Sequence, residues 1–139
     1  MVASAACGAD LVALEAAEQL GIRRRIVLPF GPERFRSTSV TDRPGDWGPT
    51  FDRLIATAEA TGDLVVLDST DGDDAAYAAA NEIIAREAEA MARAGPGTPR
   101  RLVAVIVWEG AARSGTDATG NFHDLAAKAG FEGRTVLTR

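Results

Sequence analysis

Three short runs, Ile26–Phe30, Leu64–Leu67 and Leu102–Trp108, are apolar at nearly every position and carry many β-branched residues. A strand with one wet face alternates apolar and polar residues, whereas a strand covered by helices on both faces is apolar throughout. The segments between the runs read as helices. Leu11, Leu14, Ala17 and Leu20 recur near helical spacing over 9–20, and Gly21 stands where a glycine ends a helix. Phe51, Leu54, Ile55 and Ala58 form an i, i+3, i+4, i+7 stripe stopped by Gly62. Ala75–Ala94 is a long Ala-rich helix, closed by the break Gly95–Pro99. A helix from about Asn121 to Ala129 and a short strand Arg134–Leu137 end the chain.

Strand then helix, repeated, with strands apolar on both faces, requires a parallel sheet sandwiched between helices. The expected fold is therefore α/β, a Rossmann-like three-layer sandwich with a mostly parallel sheet of about four to five strands, forming one domain over 1–139. The stretch Glu33–Gly48 carries two turn signals, Arg43-Pro44-Gly45 and Trp47-Gly48-Pro49, and reads as a long connection with room for one short helix. Met1–Ala6 leaves room for only the end of a strand before Gly8-Ala9-Asp10 opens a helix, so the expectation is an N-terminally truncated domain.

Composition narrows the function classes. With 46% hydrophobic residues among 139, the chain can bury enough apolar surface to offset its ordering entropy, which excludes a disordered tail. The net charge of −5 gives no global footprint for nucleic acid or an anionic membrane surface. The apolar runs are far shorter than the roughly 20 residues of a membrane-spanning helix. One cysteine and one histidine allow neither an internal disulfide nor a zinc site of soft ligands, so the expectation is a cytoplasmic protein with no metal and no cofactor.

In an open parallel sheet, ligands bind beyond the carboxyl ends of the strands. Four loops qualify. Ser4–Asp10 is built of small residues that permit close backbone approach, and the helix it opens offers free N–H groups to an anion, which makes Cys7, Gly8, Ala9 and Asp10 candidate ligand-binding residues. The same residues also suit a plain tight turn, with Asp10 complementing the helix dipole and Cys7 a small packing residue. In Leu28–Pro32, Phe30 is either a platform for a base or part of the core. Asp68–Asp74 is an acidic, hydroxyl-rich loop that reads as a solvated turn or a cation or ribose site. Gly110–Gly120 places Ser114, Gly115 and Thr116 before a helix, where backbone N–H groups and a hydroxyl can meet a phosphate. Tyr77 and Asn81 share a helix face, and an asparagine among alanines needs partners if buried. His123 reads as a surface or edge residue. Neither a Walker A motif nor a G-x-G-x-x-G after a strand occurs, and no G-x-S-x-G accompanies His123.

Taken in order, Gly8-Ala9-Asp10-x-x-Ala13-x-Glu15-Ala16-Ala17 with the strand Ile26–Phe30, Tyr77-x-x-x-Asn81-x-x-Ile84 before VAVIVWEG, and Ser114-Gly115-Thr116 resemble the SLOG superfamily. That Rossmann-like group includes the DNA-processing protein DprA and the lysine decarboxylase-like LOG proteins. More narrowly, RIVLPFGPERFRSTSVTDRPGDWGPTFD resembles a bacterial domain at the end of larger, often tetratricopeptide-repeat, proteins of unassigned function. The resemblance implies a nucleotide site at Cys7–Asp10, Asn81 and Ser114–Thr116. Two family features are missing: the first strand with its Gly-rich loop, and the second glycine of the phosphoribohydrolase loop at Ser114-Gly115-Thr116.

Three readings stay open. The first is a domain that binds or senses a nucleotide or nucleotide-derived small molecule, without nucleic acid or membrane partners. The second is a nucleotide N-glycosidase with Glu15 or Asp10 as its catalytic carboxylate. The third is a degenerate scaffold that pairs with itself as a homo-oligomer or with an upstream domain of a longer protein.

Overall fold

The computed structural model describes residues 1–70, 72–97, 100–108 and 117–138. The chain divides into two compact units, Met1–Asp71 and Gly72–Arg139. No described helix is long and apolar enough to cross a membrane.

The first unit runs β1 (Val2–Ala3), α1 (Ala9–Gln19), β2 (Arg25–Leu28), α2 (Pro32–Ser39), α3 (Gly48–Thr61) and β3 (Leu64–Val66). Its three strands are parallel in the order β1-β2-β3, with Ala3 opposite Ile26 and Ile26 opposite Leu64. Pairing continues past β3, where Leu67 N–H donates to Leu28 C=O at 3.0 Å and Ser69 N–H to Pro29 C=O at 3.2 Å. The stripes read from the sequence face inward except at Leu20, which follows the end of α1 and is 74% exposed. Leu11, Leu14 and Ala17 of α1 and Phe51, Leu54, Ile55 and Ala58 of α3 are buried with Ile26, Val27 and Leu28. Removing each of the larger side chains from water is worth about 1.5–3 kcal/mol. The short helix in the long connection is α2, begun by Pro32 at its first turn; its Phe35 is fully buried, stacking on Phe51 and tilted against Phe30 with ring centroids 6.0 Å apart in each case. At the end of α3, Gly62 takes the left-handed conformation (φ 71°), which only glycine adopts without strain, and Asp63 N–H then bonds back to Ala58 C=O.

An ionic clasp closes the amino end of this sheet. Arg25 opens β2 and meets Asp63, as does Arg23 two positions before it, while Arg24 reaches Glu18 on α1. Asp63 is only 7% exposed. Its carboxylate accepts from Nε and one Nη of both arginines at 2.8–3.3 Å.

The second unit holds α4 (Asp73–Arg93), β4 (Val103–Trp108), α5 (Ala118–Lys128) and β5 (Glu132–Leu137). β4 and β5 are parallel and paired along their whole length, from Val103 opposite Glu132 to Trp108 opposite Leu137. α5 is the crossover and packs on both strands and on α4. Asp117 caps it, its carboxylate accepting from Thr119 N–H at 3.1 Å and Gly120 N–H at 3.0 Å.

Two expectations need correction. The described residues form a three-stranded and a two-stranded sheet rather than one sheet of four to five strands. Apolar runs specify strands without specifying which strand pairs with which. Leu102–Trp108 also does not lie covered on both faces: Ala104 and Ile106 are buried, whereas Val103 and Val105 are exposed, the latter by 59%. Among the described residues of the unit α5 packs on β4 while Val103 and Val105 stay exposed, so the β-branched run records strand preference more than double burial.

Candidate functional site

The carboxyl end of β1 leads through small residues to α1. Ala5 is fully buried, and Cys7 N–H donates to Ser39 C=O at 2.9 Å, which fixes the turn against the end of α2. Gly8 then takes φ 90°, ψ −120°, and starts the helix with no side chain capping it. A Cβ at Gly8 would meet nothing within 4 Å, so no neighbouring side chain crowds this glycine. The N–H groups of that turn have no earlier carbonyl to bond, and they carry the positive end of the helix dipole.

Asp10 stands in this first turn, folded back on the loop, where one carboxylate oxygen accepts from Ala6 N–H at 3.2 Å. Burial pushes its carboxyl above the usual carboxylate range, and the Ala6 hydrogen bond only partly opposes that. Burial also pushes the Cys7 thiol up, against a smaller opposite effect of Arg43. That is the wrong direction for an activated thiolate. Cys7, Gly8, Ala9 and Asp10 are thus together at one helix start, with a glycine at positive φ and a carboxyl that gains from holding a proton.

The other anticipated residues lie elsewhere. Glu15, two turns along α1, pairs with Arg53 of α3 at 3.0 Å, and Arg53 also meets Glu18 at 2.5 Å. Phe30 is 3% exposed and sits in the aromatic core, with the Arg34 guanidinium 4.2 Å from its ring centroid, so it is the core residue and not an open platform. Asn81 belongs to the second unit, where its amide donates to Ala118 C=O and to Asn121 Oδ1, each at 2.9 Å. It ties α4 to the start of α5, which answers why an asparagine stands among alanines. Ser114, Gly115 and Thr116 lie outside the described residues. In the acidic loop Asp68 takes positive φ (51°), and among the described residues no three His, Cys, Asp or Glu side chains are grouped to hold a metal.

Two features escaped the sequence reading. The Cys7–Ser39 contact joins a turn to a helix end 32 positions away, and no local pattern signals it. Trp108 and His123 stack with ring centroids 6.3 Å apart and planes within 10°. A strand-ending tryptophan before a helix bearing the only histidine was the available hint. A shallow cleft of about 330 Å³ occupies the opposite, amino end of the first sheet, over Ile26, Leu54 and Ala58 and beside the Asp63 clasp.

No family model, curated protein or solved structure matches this chain.

Proposed function

We propose that the chain is a Rossmann-like domain of the SLOG type that binds a nucleotide or nucleotide derivative and performs no catalysis of its own. The observation that carries this is the open start of α1, which follows β1 in a parallel βαβαβ unit, the arrangement of a mononucleotide-binding half. A phosphate placed before Gly8 meets backbone N–H groups without displacing any side-chain cap. Asp10 opposes a dianion when ionised and donates a hydrogen bond when protonated, so its raised proton affinity suits an anionic ligand. The N-glycosidase alternative draws no support from Glu15, whose carboxylate already answers Arg53.

The test is calorimetric titration of the full chain with mononucleotides and with ribose 5-phosphate, alongside Ala9→Glu. Ala9 is exposed at the first position of α1, where an acid is favourable to the helix but repels an approaching anion. Binding weakened at least tenfold in Ala9→Glu, with an unchanged melting temperature, is the expected result. Equal affinity in the two proteins overturns the site.

The self-association reading retains one specific observation, the exposed Val103, Val105 and Val136. Light scattering of the eluting protein decides it, and a monomer at high protein concentration removes it.

A further inference from the structure

We infer that Trp108 and His123 form a stacking site, within the second unit, for a planar aromatic ring of the nucleobase type. The inference rests on the nucleotide reading above for the class of ligand alone. Ala104, Ile106 and Trp108 share one face of β4, the face on which α5 packs. The first two are buried, but Trp108, last in the row, remains part-exposed at the carboxyl end of the strand, where open α/β sheets receive ligands. Its backbone is fixed there, because Thr138 N–H donates to Trp108 C=O at 3.0 Å. His123 comes from α5 and lies nearly parallel to the indole, while its side chain stays 50% exposed. The imidazole is held at its edge as well, with Nδ1 3.2 Å from Asp124 Oδ1.

Two flat rings are thus kept parallel and accessible before any ligand arrives. Stacking on such a platform tolerates any base, since each has a π-face. An electron-rich indole favours electron-poor heterocycles in offset geometry. A nucleoside ring is the ligand class that fits, with the Asp124-held imidazole offering Nε2 to a ring substituent.

The experiment follows tryptophan emission of the full chain in a Trp47→Phe background, so that Trp108 alone reports. The probes are adenosine, which carries the ring without phosphate, and ribose 5-phosphate, which carries phosphate without the ring. Saturable quenching by adenosine, absent with ribose 5-phosphate and weakened at least tenfold in His123→Ala, is the expected outcome. His123 is surface-exposed, so this variant keeps the fold, and a thermal melt verifies it. Unchanged emission up to millimolar adenosine overturns the subsite and leaves the pair as a packing contact between α5 and β4. If ribose 5-phosphate still binds calorimetrically in that case, the nucleotide reading survives; if neither probe binds, both fall.

Discussion

Replacing Asp63 by asparagine keeps the side chain's shape and removes the charge that two arginines share. The carboxylate accepts from Arg23 at 2.8 and 3.3 Å and from Arg25 at 3.1 and 3.2 Å. A hydrogen bond to a charged group contributes about 1.5–3 kcal/mol net, but an exposed pair is worth only about 0–1 kcal/mol. The Arg23 side chain is 62% exposed and that of Arg25 22%, so the first pair falls in the lower range and the second in the upper. Together they give a loss of about 1.5–4 kcal/mol in Asp63→Asn. For a cooperative unit of 60–100 residues, each kcal/mol moves the midpoint by roughly 4–8 °C, so the first unit melts roughly 6–32 °C lower. The arginines also give the loss a pH signature. Hydrogen bonding from Arg23 and then Arg25 holds the folded carboxyl below its ordinary 3.8 despite its burial. The folded state therefore binds fewer protons than the unfolded one between the two values. Its advantage over Asp63→Asn is fully present above 3.8 and shrinks as pH falls through the folded value. Urea unfolding of both proteins from pH 7 to pH 3 tests this, and a difference below about 0.5 kcal/mol at pH 7, or one that grows on acidification, refutes the clasp as a stabilising element.

Phe35→Ala removes a fully buried ring between Phe30 and Phe51, and a loss of about 3–5 kcal/mol in urea unfolding is expected. Asp117→Ala strips the cap from α5 and costs about 1 kcal/mol; hydrogen exchange measures it as faster exchange at Thr119 and Gly120. Asp10→Asn retains an acceptor for Ala6 N–H while relieving a desolvated charge, so it raises the melting temperature at pH 7. Since the folded carboxyl has a raised proton affinity, the wild-type deficit opens as pH rises above the ordinary 3.8 and closes below it; a melt series from pH 3 to pH 8 checks the sign.

Elements that announce themselves through local chemistry were readable in the sequence. The stripe of Phe51, Leu54, Ile55 and Ala58 and the glycine after it place α3 and its left-handed stop, because both depend on neighbours a few positions apart. The turn at Gly8 was legible for the same reason. What stayed hidden is set by distant partners. Val103 and Ala104 are equally apolar on paper, yet one is exposed and the other buried, since only the packing of α5 distinguishes the faces of β4. Glu15 and Asp10 looked like comparable carboxylates until α3 supplied Arg53 to the first and nothing cationic to the second. Asn81 drew attention correctly as a polar residue needing partners, but its partners proved to be α5 groups 37 and 40 positions away.

The contrast between Asp63 and Asp10 bears most directly on function. Both are carboxylates of the same unit, Asp63 buried and Asp10 partly so, and their proton affinities move in opposite directions. At Asp63 the sequence places arginines two positions apart, at the start of β2 and just before it, so both reach one carboxylate and the charge is stabilising. At Asp10 a single backbone N–H is the compensation, even though a first-turn acid ordinarily gains from the helix dipole. Desolvation outweighs that hydrogen bond there, so an amide at that position is expected to make the fold more stable. Stability is commonly given up where activity needs a particular group, and an otherwise well-paired unit with one under-compensated carboxyl at an open helix start fits that pattern. The two properties are then coupled through one atom group: Asp10→Asn gains stability, and if the nucleotide reading holds, it loses the dependence of anion binding on pH that the titrating carboxyl imposes.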